Sequence, residues 1–376
     1  MESIARIPIA LADRARATAL RYVAGTRLRP LVARRTARIG ARAVVAIVGA
    51  LVLSSTFPAL ALAVGPLLFG VPHVAASLRY LVVRRGIARW LVASIVLASL
   101  VIVGARVTAG LDGWNGRALS CARTEMVAGA SLFGLACVAA AKKRGSVARG
   151  AVGLAVLSAG LGAALYAPFL VRMAFVHVHN LGVVALWMLM FRRNGALPKL
   201  VGAALLGSLL LIASGVTVPV AQSLGGLELA GVDCRAVASW LTPASVDTAA
   251  RGAMGSFAMP LVVAHAFTDS VHYAFWLGVV PEEELSGEGT LSFRMTVRGV
   301  LRDFGVLATV LVVGVAAAVA LSGLLRGTLT RDAYFAVAGF HGYVEGAMLV
   351  YWLVLGGSVL PRARWVQSDA VGRMAR

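Results

Sequence analysis

Residues 59–83 read ALALAVGPLLFGVPHVAASLRYLVV, an apolar run long enough to cross a bilayer as a helix, with His73 near its middle. Similar runs recur along the 376-residue chain, of which 59% is hydrophobic and 14% charged. A soluble domain is about 45–50% apolar and about 25% charged. The composition therefore excludes a soluble globular enzyme, a disordered chain and a disulfide-rich secreted module. It predicts an all-α, polytopic helical membrane bundle.

The apolar runs give about ten predicted spans, which form a transmembrane bundle over residues 41–360. They are residues 42–57, 59–83, 90–110, 123–141, 150–171, 172–191, 196–218, 253–279, 303–324 and 333–357. Breaks at Phe57-Pro58 and near Pro168 predict two tight helical hairpins. Residues 1–40, rich in arginine, are expected to form a basic interfacial segment, and residues 361–376 a basic cytoplasmic tail.

The formal net charge is +20, and the Arg and Lys residues cluster in alternate gaps between the spans. Under the positive-inside rule this predicts an N-in/C-in topology in a bacterial-type inner membrane. Anionic lipids are the expected partners of these charges, and nucleic acid is not. Arg79 and Arg172, near span ends, are expected to reach lipid headgroups. PEEELSGEGTLSFR, residues 281–294, is expected to be a solvated loop.

Two of the three cysteines, Cys121 and Cys234, fall in the two longest predicted external loops. They could be unrelated free thiols. The interpretation favoured by the sequence is a disulfide that ties the two loops together on the oxidising side of the membrane.

All six histidines of the chain lie inside predicted spans. They are His73, His177, His179, His265, His272 and His341. Ionisable groups are costly in hydrocarbon, so each one is a candidate functional residue. The four spans that carry them run in the same direction in the predicted topology, and at ~1.5 Å per residue the histidines lie roughly 13–25 Å from the cytoplasmic edge. A shared depth is what the ligands of one centre require.

Carboxylates accompany the histidines on the same helix faces. The spacing predicts that His265, Asp269 and His272 share one face, and that His341 and Glu345 share another. Imidazole with carboxylate suits iron, copper or zinc, the carboxylate being either a ligand or a support for an imidazole.

His177 and His179 lie ~200° apart on a regular helix, so only one of them can face a shared metal. The sequence favours His177, because Asn180 lies on its side of the helix. We expect His73, His265, His272 and His341, with one of this pair, to converge on one or two metal ions, supported by Asp269 and Glu345.

Two motifs resemble a known family. GVPH, ending at His73, and HAFTDSVHY, with His265 and His272, are similar to the motifs of the bacterial Brp/Blh family of membrane β-carotene 15,15'-dioxygenases. The resemblance implies a polytopic protein that holds iron (Fe²⁺) with these three histidines and cleaves β-carotene to retinal. Residues 74–77 are VAAS, where the family has a glycine and an aspartate.

Three functions compete on this sequence. The first is a non-haem iron membrane oxidoreductase or oxygenase acting on a lipophilic substrate, such as a carotenoid or another isoprenoid or lipid, that enters from the bilayer. The second is a haem-binding electron-transfer protein with axial histidines. The third is a proton- or metal-coupled transporter with a relay of His, Asp and Glu.

Overall fold

A computed structural model of the protein describes residues 2–26, 34–111, 117–144, 146–192, 195–241, 248–284 and 292–356. Within these ranges the chain is almost entirely α-helical. The helices are α1 (Glu2–Ala24), α2 (Arg35–Thr56), α3 (Pro58–Leu81), α4 (Arg89–Leu111), α5 (Ala118–Arg144), α6 (Val147–Tyr166), α7 (Pro168–Phe191), α8 (Leu197–Ala213), α9 (Thr217–Ser223), α10 (Cys234–Leu241), α11 (Thr248–Ala274), α12 (Phe293–Ala338) and α13 (Phe340–Val354). The strands β1 (Glu228–Leu229) and β2 (Val232–Asp233) form a short antiparallel hairpin. The predicted tail, residues 361–376, lies outside the described residues.

Both predicted proline breaks are confirmed. Helix α2 ends at Thr56 and α3 begins at Pro58, while α6 ends at Tyr166 and α7 begins at Pro168. Proline suits the first position of a helix because the amide hydrogen that it lacks would have no partner there. Each break therefore ends one helix and starts the next within two residues.

The protein is a multi-pass membrane protein by its helices, but the predicted count of ten spans is not confirmed. In the described part of the chain, seven helices are long and apolar enough to cross a membrane, or up to eight if the bent pair α8 and α9 forms one span. Two features account for the difference. Helix α11 is not among these candidates, and it carries His265, Asp269 and His272. The stretch Phe293–Val354 counts once, although two spans are predicted within it.

That long stretch is not one straight helix. Gly305 has φ 78° and Arg326 has φ −142°, so the backbone leaves helical geometry at both residues within α12. Gly339 then separates α12 from α13. The predicted loop at 325–332 is therefore reduced to a kink at Arg326.

The four helices that carry the histidines form the centre of the bundle. Helix α3 packs against α11, α11 against α7, α7 against α13, and α13 against α3, which closes a ring. The remaining long helices pack around this ring, with α2 against α11, α5 against α13 and α12 against α3. Helix α7 therefore contacts two other histidine-bearing helices, α11 and α13.

Buried ion pairs hold one end of the ring, where sequence reasoning expected headgroup contacts and a solvated loop. Arg79 is 3% exposed, and its guanidinium contacts Glu284 at 2.9 Å and Asp303 at 2.7 Å. Glu282 is fully buried between Arg38, at 2.9 Å, and Arg42, at 2.7 Å. Both expectations were wrong at these residues, because buried carboxylates and guanidiniums each supply the counter-charge that the other needs.

The predicted disulfide between Cys121 and Cys234 is also wrong in this structure, since both residues are free thiols. Cys234 is fully buried in an apolar cluster with residues such as Ala221 and Val262. Cys121 is partly buried on α5. The sulfur of Cys234 thus serves as a packing atom.

Candidate metal centre

Three histidines from three helices of the ring meet in the interior. His73 of α3, His272 of α11 and His341 of α13 each offer one nitrogen within 4.8 Å of those offered by the other two. The closest approach joins the Nε2 atoms of His73 and His341, 3.1 Å apart. His73 and His272 are each 1% exposed and His341 is 8% exposed.

A fourth imidazole, that of His179 on α7, stands beside these three. Its ring centroid lies 5.4 Å from those of His272 and His341. Gly342 permits this approach, because a Cβ atom at that position would meet the His179 ring at 3.1 Å. All four helices of the ring therefore contribute one imidazole to a cluster, which we call the four-histidine cluster.

The Nδ1 atom of every ring in the cluster lies at hydrogen-bond distance from a main-chain carbonyl oxygen. The pairs are His73 with Phe69 at 3.0 Å, His179 with Phe175 at 3.3 Å, His341 with Ala338 at 2.5 Å and His272 with Asn180 at 3.3 Å. A carbonyl only accepts, so Nδ1 carries the proton and donates it in each pair. In a neutral ring the lone pair is then on Nε2, which is the ligand atom of a metal-bound histidine oriented in this way.

This proton arrangement makes the short contact between His73 and His341 informative. Two neutral rings would place two lone pairs against each other at 3.1 Å with no hydrogen between them. Two nitrogens bound to one ion at about 2.1 Å lie about 3.0–3.4 Å apart at octahedral or tetrahedral angles. The observed separation fits two ligands of one ion.

Glu345, one turn after His341 on α13, supplies negative charge at the cluster. It is 2% exposed, and its Oε1 lies 3.5 Å from Nε2 of His272. Neither of its carboxylate oxygens has a hydrogen-bond partner among the described residues. A carboxylate so buried is costly without a cation, so its position fits a bound metal ion or a protonated His272.

Asp269 lies on α11, three residues before His272, and supports the cluster indirectly. Its Oδ1 accepts a hydrogen bond of 2.6 Å from the side-chain amide of Asn180, and the carbonyl of Asn180 accepts from His272. Asp269 therefore positions the residue that orients a ligand, as the sequence-based alternative of a supporting carboxylate allowed.

The structure does not bring His177 and His265 into the cluster. Their rings pair with each other at 5.2 Å between centroids. On α11, His265 lies seven residues before His272, about 10 Å along the helix axis. The sequence-based preference for His177 thus differs from the structure, in which His179 joins the cluster. His177 lies beside His265 of α11, whereas His179 lies beside both His272 of α11 and His341 of α13.

A cavity of about 460 Å³ adjoins the cluster, and five of the six histidines line it. The remainder of its wall includes Phe175, Tyr273, Tyr334 and Arg106. Sequence reasoning missed Tyr273, although it directly follows His272, and its ring centroid lies 4.5 Å from that of His73. A ligand in this space would lie directly against the cluster. The donor set of imidazoles and one carboxylate can hold a transition metal and leave positions that face the cavity.

A scan against protein-family models, a search of curated proteins and a search of solved structures each found no match for this chain.

Proposed function

We propose that this chain is a metal-dependent integral membrane oxidoreductase, with non-haem iron at the four-histidine cluster and a lipophilic substrate in the adjoining cavity. The observation that carries the proposal is the 3.1 Å separation of the His73 and His341 Nε2 atoms, together with the Nδ1 contacts that aim both lone pairs at one point. A second support is Glu345, whose buried carboxylate needs a cation.

We propose iron because the motif resemblance implies it and the donor set suits it. Structural zinc sites are closed and four-coordinate, whereas this cluster lies against a cavity. Imidazoles with a carboxylate and open positions are typical of non-haem iron oxygenases. When bound, iron would supply the redox chemistry needed to activate dioxygen beside the substrate.

In this proposal the histidines of the cluster bind the ion and the carboxylate beside them balances its charge. His73, His272 and His341, with His179 beside them, hold the ion. Glu345 balances its charge.

The apolar part of the cavity wall, including Phe175, binds the hydrocarbon of the substrate and excludes water. A carotenoid or another isoprenoid is the first substrate class to test, because the motif resemblance implies a polyene. Residence in a bacterial inner membrane and contact with anionic lipids belong to the same proposal.

The geometry favours a bare ion over haem. Two axial imidazoles on opposite sides of a porphyrin hold their ligand atoms about 4 Å apart, twice a metal–nitrogen bond length. Here one pair is closer, at 3.1 Å, and a third imidazole offers its nitrogen within 4.8 Å of both. The His73–His341 pair is therefore too close for two axial ligands of one haem.

A proton relay is the second candidate, because His272 and Glu345 lie 3.5 Å apart and could form an imidazolium–carboxylate pair. One experiment separates the two functions. The protein would be purified without a chelation step, analysed for bound metals, reconstituted with Fe²⁺ without oxygen, and then given oxygen and a polyene. We expect stoichiometric iron and oxygen uptake that depends on the polyene. Metal at background level before and after reconstitution would overturn the proposal, and proton flux in liposomes would then support the relay.

A further inference from the structure

A second, larger space shares Tyr273 with the cavity at the cluster. It is an apolar groove of about 940 Å³ on the bundle surface, between α2, α3 and α11. Small residues create it, among them Ala46, Gly49 and Ala50 of α2 and Ala61 and Gly65 of α3. From Ala41 to Leu53 it follows α2 for thirteen residues, and the twelve steps between them span about 18 Å at 1.5 Å per residue. Its shape and length suit one extended hydrocarbon chain.

The ring of Tyr273 separates this groove from the cavity at the cluster. Tyr273 is among the residues lining both spaces. Its ring lies 4.5 Å from the His73 ring, and a Cβ atom at Gly65 would meet it at 3.0 Å. The floor of the groove is therefore one aromatic ring away from the four-histidine cluster.

The charge at one end of the groove indicates the polar group of its occupant. Arg42 lines that end, and its side chain is 38% exposed while Nη1 contacts Glu282 at 2.7 Å. Arg38 lines the same end, and the described lining includes no carboxylate. An anionic group can approach Arg42 from its exposed side.

We propose that this groove binds a long-chain anionic amphiphile from the bilayer, with its head at Arg42 and its chain against Tyr273. The proposal rests on the proposed function, because the groove would then be the place where the substrate enters from the bilayer. The ring of Tyr273 would have to move aside for the chain to reach the cluster. Among the lipophilic substrates of the proposed function, the groove favours a chain with an acidic head group over a pure hydrocarbon such as β-carotene.

The test uses a long-chain fatty acid that carries a diazirine at mid-chain, cross-linked by light to the full-length protein in liposomes. Mass spectrometry would map the labelled peptides, with and without excess unlabelled fatty acid or its methyl ester. We expect saturable labelling of α2 and α11 that the acid displaces better than the ester. Arg42→Gln should remove the difference between acid and ester.

Gly49→Leu is the blocking variant, because a Cβ atom at Gly49 meets nothing within 4 Å and the added side chain would fill the groove. Gly104→Leu on α4 is its matched control, since a Cβ atom there also meets nothing within 4 Å. We expect Gly49→Leu to weaken saturable labelling about tenfold, the loss expected when one or two methylene groups of the chain are displaced. Gly104→Leu should leave it unchanged. Tyr273→Ala, which joins the two spaces, should extend labelling to the peptides that contain His179 and His341.

The outcomes separate this proposal from the proposed function. Labelling that excess acid does not compete, or that Gly49→Leu leaves intact, would overturn the groove proposal even if iron and oxygen uptake are found. Saturable labelling in a protein that binds no metal would support the groove and refute the oxidoreductase.

Discussion

The Nε2 atoms of His73 and His341 face each other at 3.1 Å, while the Nδ1 atom of each ring lies against a main-chain carbonyl three or four residues earlier in the chain. The two helices thus present two electron pairs to one point. A cation at that point converts a repulsion between α3 and α13 into a shared attraction. Metal binding and the packing of these two helices are therefore expected to be coupled.

Removal of a cluster histidine should remove the metal. We expect His73→Ala, His272→Ala or His341→Ala to lose more than the 10–100-fold in metal affinity that is typical for loss of a supporting residue. The matched control is His177→Ala, which removes an intramembrane imidazole outside the cluster. Metal content by mass spectrometry, measured on folded protein, checks this. Equal losses in all four variants would point to a general loss of packing.

Replacement of the Glu345 carboxylate by an amide should weaken the centre without abolishing it. Glu345→Gln keeps the shape of the side chain but removes the negative charge beside His272. We expect metal affinity to fall about 10–100-fold, as for other supporting groups. Titration of metal-free protein with Fe²⁺ gives the affinity. Asp269→Asn should have a smaller effect, because Asp269 acts through Asn180.

Glu282 should be important for stability. Glu282→Gln would leave Arg38 and Arg42 without their shared counter-charge, and loss of one partner from a buried ion pair costs about 3–5 kcal/mol. The midpoint of thermal unfolding in detergent should therefore fall clearly. Asp332→Asn is the control, because Asp332 is about half exposed in its pair with Arg331, and such pairs contribute about 0–1 kcal/mol. Similar midpoints for the two variants would contradict the burial of Glu282.

The thiol of Cys234 should resist alkylation over a wide pH range. Burial, with a contribution from the neighbouring Asp233 carboxylate, raises the pKa of Cys234 to about 12. The group stays protonated below that pH, so labelling by a maleimide should remain slow at pH 9, where an ordinary thiol of pKa about 8.5 is mostly thiolate. Denaturation should release fast labelling. A gel shift that depends on reductant, after cleavage of the chain between Cys121 and Cys234, would instead show that these two cysteines form a disulfide.

The predicted orientation can be tested through contacts that join distant parts of the chain. Asp13 of α1 accepts hydrogen bonds from the main-chain nitrogens of Phe293, at 2.8 Å, and Arg294, at 3.3 Å, at the start of α12. The N-terminal helix and this loop end therefore lie on one side of the membrane. The positive-inside rule predicts the cytoplasmic side. Reporters placed before Asp13 and after Ser292 should both read cytoplasmic, and one within residues 219–241 should read external.

Sequence patterns predicted the helical class and the proline breaks, since these follow from local composition and backbone chemistry. They failed where the outcome depends on which helices become neighbours. His179 joins the cluster because α7 lies between α11 and α13, and no spacing within α7 encodes that position. Glu282 is buried for the same reason, because its partners Arg38 and Arg42 lie far away in the sequence. The predicted count of ten spans is not confirmed, because polar residues on α11 and the continuous helical stretch Phe293–Val354 reduce the number of separate apolar helices in the described part of the chain.

The four Nδ1 contacts of the cluster differ in one respect that bears on biogenesis. His73, His179 and His341 each donate to a carbonyl three or four residues earlier in the chain, that of His341 being Ala338 at the end of α12, whereas His272 on α11 donates to Asn180 on α7. Three rings can thus take up their final tautomer as soon as each helix is inserted in the bilayer, before any tertiary contact exists. Only the fourth waits for two helices to meet. The docking of α7 and α11 is therefore the step of assembly that fixes the last tautomer of the cluster.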